Sequence, residues 1–94
     1  MQGRLLELSE LRYTPAGVPV VEFRIDHKSE QDEAGGRRKV KAEIPAVAFQ
    51  AQARLIAAAA PGVEVRLQGF LAPKGKRSKK LVLHATNIEF TEGN

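Results

Sequence analysis

Residues 49–67 read FQAQARLIAAAAPGVEVRL, and the change of period inside this stretch decides how the chain is built. Phe49, Ala53, Ile56 and Ala60 recur at helical spacing, with Gln50, Gln52 and Arg54 offset from them. Six alanines among residues 49–60 add helix propensity, so the spacing predicts a helix there. Pro61-Gly62 stops it. From Val63 the period drops to two: Val63, Val65 and Leu67 alternate with Glu64, Arg66 and Gln68, the pattern of a half-buried strand. Gly69 falls where such a strand bends or bulges.

Upstream, the alternation continues. Residues 38–45 set Val40, Ala42 and Ile44 inward and Lys39, Lys41 and Glu43 outward. In residues 20–28, Val21, Phe23, Ile25 and His27 share one face and Val20, Glu22, Arg24, Asp26 and Lys28 the other. The polar residues 29–36, ending Ala34-Gly35-Gly36, read as a loop. Residues 13–19 are turn chemistry, since Pro15 fixes φ and Gly17 permits positive φ. Residues 4–11, with Leu5, Leu6, Leu8 and Leu11, fit strand or helix equally. Downstream come a basic loop over residues 73–80 and a last strand over residues 81–90. The resulting order is β-β-β-α-β-β. We therefore expect an all-β OB-fold, a five-stranded Greek-key barrel with one short helix between strands three and four. Its second and third strands and two loops are the usual oligonucleotide surface.

Composition narrows the class. The 94 residues allow one domain, and 43% apolar content supplies a core. The longest apolar run, residues 55–60, is far below the ~20 residues of a membrane span. Charge appears too early at the start for a secretory signal. With no cysteine there are no disulfides or thiolate metal sites, which fits a cytoplasmic location. Charge is unevenly spread. Lys74, Lys76, Arg77, Lys79 and Lys80 fall within residues 73–80, and Arg37, Arg38, Lys39 and Lys41 within residues 37–41. Neither window holds an acid. They take nine of the 15 cations, leaving six against all 11 acids elsewhere. A mildly acidic body with two basic arms is the footprint of a polyanion binder. No paired carboxylates and no nucleophile with a base stand out. Gly75-Lys76-Arg77-Ser78 lacks the spacing of a phosphate-binding loop. Catalysis, metals and cofactors are not expected.

The motifs carry a resemblance. Leu11-Arg12-Tyr13-Thr14-Pro15-Ala16-Gly17-Val18-Pro19 is followed by an alternating strand that ends His27-Lys28-Ser29. Glu33-Ala34-Gly35, Ile44-Pro45, Gln68-Gly69-Phe70-Leu71 and residues 78–84 follow in order. Together they resemble the primosomal replication protein N (PriB) family, which is similar in fold to bacterial single-stranded-DNA-binding proteins. The latter usually add stacking tryptophans and an acidic tail ending Asp-Ile-Pro-Phe. This sequence has no Trp, and its last residues are Thr91-Glu92-Gly93-Asn94. The resemblance implies a homodimer that binds single-stranded DNA without sequence preference. It further implies assistance to the PriA helicase and then DnaT in reloading the replicative helicase. Some members place an aromatic before the third strand and a Trp on its exposed face, at positions that are Gly36 and Lys41 here. The family's first strand begins N-x-L-x-L-x-G with Gly3 matching the Gly, so the resemblance implies a first strand shortened at its start.

The expected DNA contacts are Lys74, Lys76, Arg77, Lys79 and Lys80 in the last loop, Arg37, Arg38, Lys39 and Lys41 on or beside strand three, and Lys28 at the end of strand two. Long flexible cations suit phosphates better than bases. The competing explanation is a solvated loop. Tyr13 and Phe70 are the candidate stacking platforms, while Phe23, Phe49 and Phe90 follow core periodicity. His27 and His84, on separate strands with no third ligand in view, fit packed or hydrogen-bonded roles. Two other functions compete: a general single-strand binder coating long DNA, and a protein-interaction module whose basic loops meet an acidic partner.

Overall fold

The computed structural model describes residues 1–33, 36–77 and 79–91, with the backbone alone described over residues 28–33 and 36–41. Its elements are β1 (Gln2–Leu8), β2 (Arg12–Tyr13), β3 (Pro19–Glu33), β4 (Gly36–Phe49), α1 (Ala51–Ala57), β5 (Glu64–Pro73) and β6 (Leu81–Phe90). β1 pairs with both β3 and β5, β3 with β4, and β5 with β6, all antiparallel. A parallel pairing of β4 with β6 closes a ring of five strands. The helix between β4 and β5 completes the expected OB-fold. β2 is a two-residue addition on β3. Among the described residues, no helix is long and apolar enough to cross a membrane.

Alternation builds the core as anticipated. Val21, Phe23 and Ile25 on β3 and Val65 and Leu67 on β5 are buried, together with Leu5, Ala46, Ala48, Leu83, Ala85 and Ile88. Ala53 and Ile56 of α1 fill one end of the ring, one turn apart on one helix face. Residues 4–11, ambiguous by pattern, form a strand over their first part, with fully buried Leu5. The 13–19 turn forms as expected. Gly17 adopts φ 84° and donates its N–H to the Thr14 carbonyl at 2.8 Å, while Thr14 Oγ1 accepts from the Val18 N–H at 3.1 Å.

Three expectations are corrected. The helix covers residues 51–57, not 49–60. Gly62 N–H donates to the Leu5 carbonyl at 2.7 Å and Leu5 N–H to the Val63 carbonyl at 2.8 Å, so the chain must leave the helix early to reach β1. Tertiary hydrogen bonds override the alanine propensity of residues 58–60. Residues 29–33 and 36 are strand rather than loop, and the β3–β4 register runs unbroken from Val20↔Phe49 to Glu33↔Gly36. Only Ala34 is apolar in residues 29–36, so period-two patterning had nothing to mark there. Phe49 and Phe90 are 36% and 41% exposed and do not belong to the core. Phe49 matched the helical period by coincidence and ends β4 instead.

Gly69 sets the shape of the β5–β6 hairpin. The register shifts by one between Gln68 and Gly69, bringing Phe70 opposite His84. A Cβ at Gly69 would lie 2.0 Å from the His84 carbonyl oxygen, so no other residue fits this bulge without moving backbone.

Candidate nucleic-acid interface

The β5–β6 hairpin carries the basic loop beyond Pro73, and a Lys74 N–H to Lys80 carbonyl bond of 2.9 Å closes the loop at its base. Lys74, Lys76, Arg77, Lys79 and Lys80 are all exposed, and Ser78 lies outside the described residues. Five cations with no acid in the same loop give a concentrated positive potential at the hairpin tip.

Beneath the loop lies an open groove of about 600 Å³ between the end of β1, the middle of β3 and β4, and the start of β6. Lys74, Lys80 and Arg24 are its basic lining residues, with Phe23 and Leu81 among its apolar ones. Leu81 is 53% exposed, which leaves an apolar surface beside the cations. Glu7 and Glu22 also line the groove. Arg24 was not among the residues singled out from the sequence. Alternation placed it on the outward face, but its approach to the loop depends on the ring closing through β4 and β6. Its Nη1 lies 3.4 Å from Glu43 Oε1 and 3.6 Å from Glu7 Oε1, and Arg12 pairs with Glu22 nearby. All these side chains are about half exposed or more, so the pairs are weak and readily exchanged.

The second basic arm has a different character. Its candidates Lys28, Arg37, Arg38, Lys39 and Lys41 lie on described backbone of β3 and β4, but their side chains lie outside the described residues. The backbone register sets Lys28 opposite Lys41, Glu30 opposite Lys39, Gln31 opposite Arg38 and Asp32 opposite Arg37. Cross-strand opposites share a sheet face, and opposite charges there stabilise by roughly 0.2–1 kcal/mol. The 37–41 window, acid-free in sequence, therefore has acids opposite Arg37 and Lys39 once the strands pair.

Aromatic placement divides the two stacking candidates. Phe70 is 55% exposed, and its ring lies 5.0 Å from that of His84 with 13° between the planes. His84 in turn stacks on Phe49, with centroids 5.9 Å apart. The three rings form one row on β5, β6 and β4, with Phe70 its most exposed member. Sequence periodicity had Phe70 out of step with the core but gave no sign of its partners. Tyr13 is 57% exposed on β2 and joins neither this row nor the groove lining. His27 donates a 2.9 Å hydrogen bond from Nδ1 to the Gln2 carbonyl, and His84 stacks between Phe49 and Phe70, so both histidines take the packed or hydrogen-bonded roles expected of them. Since a carbonyl only accepts, the neutral ring that makes this bond carries its proton on Nδ1.

Comparison with known proteins agrees with this geometry. The profile of a family described as "Another single-strand binding protein family" matches residues 1–87. Replication restart protein PriB of Bordetella pertussis is 45% identical over 84 residues, 89% of this chain and 78% of that protein. The solved structure of PriB from Ralstonia solanacearum is similar at a TM-score of 0.83 with 33% identity, covering 98% of this chain and 96% of the other. A single-stranded DNA binding protein from Thermus aquaticus shares the fold, with a TM-score of 0.80 at 22% identity over 98% of this chain and 48% of its own. The OB-fold topology, the turn motif around Pro15 and Gly17 and the identity along most of the chain converge: this chain belongs to the single-strand binding protein family and, within it, to the PriB replication restart proteins.

Proposed function

We propose that this protein binds single-stranded DNA without sequence preference and serves as a non-catalytic accessory of replication restart. In this reading residues 1–94 act as one OB-fold domain in a cytoplasmic homodimer. It supports the PriA helicase at stalled forks and helps to bring in DnaT. The observation that carries the proposal is the acid-free, five-cation loop standing over a groove on the OB-fold of a PriB family member. Lysine and arginine at the loop neutralise successive phosphates and release counterions, a contribution blind to base identity. An exposed aromatic such as Phe70 adds stacking that every base can satisfy. Lys28 and Lys41 extend the track along the β3–β4 arm.

Fluorescence titration of labelled oligo-dT, with molar mass measured on the same sample, tests the proposal. We expect saturable binding by a species of twice the chain mass. No binding at low salt would contradict the DNA reading, and a tetramer coating long DNA would favour a general single-strand binder. Binding of purified PriA that survives removal of both basic clusters would assign the helicase contact to another surface.

A further inference from the structure

Arg24 stands in the groove under the basic loop, yet its guanidinium is shared between two carboxylates. Nη1 is 3.4 Å from Glu43 Oε1 on β4 and 3.6 Å from Glu7 Oε1 on β1. The register explains the arrangement. Arg24 lies opposite Glu7 on one neighbouring strand and opposite Pro45 on the other, so Glu43 sits diagonally two residues away. Glu22, two residues along β3, lines the same groove and pairs with Arg12. A phosphate entering here meets one fork-shaped donor and two carboxylates within a few ångströms of it.

We propose that Arg24 is a phosphate contact in the groove and that Glu7 and Glu43 act as a brake on it. The inference rests on the reading that the groove accepts single-stranded DNA. With Nη1 engaged by the carboxylates, Nε and Nη2 keep donors able to address a phosphate. The carboxylates repel that phosphate and compete for the same cation, and their side chains are 68% and 62% exposed, so the competition is mild. Arg24 therefore contributes fully only to a strand already held by Lys74 and Lys80, which line the same groove. The brake lowers affinity for isolated phosphates and leaves a multi-contact strand bound. It makes the site favour DNA laid across the groove over scattered polyanion contacts.

The test is a set of oligo-dT titrations at low and high salt, with circular dichroism confirming the fold of each variant. Glu43→Gln and Glu7→Gln should each tighten binding by about two- to threefold at low salt, a gain that fades at high salt. Arg24→Gln should weaken binding and reduce the slope of log K against log salt by ~0.7, the value of one lost contact on a single strand. Arg24→Lys, which keeps the charge, should retain the slope. The deciding arm is the double variant: in the Arg24→Gln background, Glu43→Gln should give less than half its gain on a logarithmic scale. An equal gain in both backgrounds would reduce the acids to general repulsion and overturn the brake. So would wild-type affinity and slope in Arg24→Gln, or weaker binding by either Glu→Gln variant. If the wild-type protein itself failed to bind oligo-dT, the DNA reading would fall and this inference with it. Wild-type binding with an unchanged Arg24→Gln would remove this inference alone.

Discussion

The loop between β5 and β6 and the arm formed by β3 and β4 carry five cations each, and they are not equivalent. In the loop, Lys74, Lys76, Arg77, Lys79 and Lys80 have no acid among them and project from the end of a hairpin fixed by the Gly69 bulge. In the arm, Arg37, Lys39 and their neighbours are laid antiparallel against a strand holding Glu30, Asp32 and Glu33. The loop gathers its cations with no acid in the same segment, whereas the backbone register of the arm sets an acid opposite two of its cations, Arg37 and Lys39. Within the arm, Arg38 lies opposite Gln31, and Lys28 and Lys41 lie opposite each other.

The largest difference should appear when each region is stripped in turn. Alanine at all five loop positions should cost at least about tenfold in oligo-dT affinity at moderate salt, as expected for losing several phosphate contacts. Arg37→Ala with Arg38→Ala and Lys39→Ala should cost less than half of that in log K. Equal losses, measured by anisotropy, would break the distinction between loop and arm. Phe70→Ala probes the hairpin from its aromatic side. It should weaken binding by roughly 1–3 kcal/mol with little dependence on salt, the signature of a lost stack. An unchanged affinity would mean that the row with His84 and Phe49 serves packing alone.

The arm can then be sharpened. Lys41→Trp exchanges a salt-dependent contact for a ring on which a base can stack, worth roughly 1–3 kcal/mol. The variant should bind about fivefold tighter at high salt, with its salt slope lowered by ~0.7. Weaker binding at every salt concentration by a folded variant would show that position 41 does not meet DNA. The smallest effect belongs to the arm's acids. Glu30→Gln with Asp32→Asn should tighten low-salt binding by about two- to threefold, since each amide removes a negative charge from the strand paired with the arm's cations. No change would mean that the interleaved charges lie outside the DNA path.

Much of the fold was legible because one-sided burial writes itself into period two. Val21, Phe23 and Ile25 and later Val65 and Leu67 announced their strands, and Gly17 and Gly69 announced a turn and a bulge. What escaped had no such signature. Residues 29–33 pair along their backbones without apolar alternation, so they read as loop. Phe49 fell into a helical period, but the helix begins only two residues later, at Ala51. Phe90 kept core spacing at a strand end that the core does not reach. In the candidate interface, the loop cations were plain from composition, since no folding is needed to see five charges without an acid. The register that sets acids opposite Arg37 and Lys39 and the sharing of Arg24 between Glu7 and Glu43 depend on strand pairing across up to 19 residues, which composition does not encode.

The claim on which the rest depends is that the β5–β6 loop makes most of the phosphate contacts. The direct measurement is the slope of log K against log salt for oligo-dT, taken side by side for the wild-type chain and the variant with alanine at Lys74, Lys76, Arg77, Lys79 and Lys80. Four or five contacts at ~0.7 each give a wild-type slope near −3, and the variant should lose most of it. A variant slope that stays near the wild-type value would place the DNA on another surface of the protein.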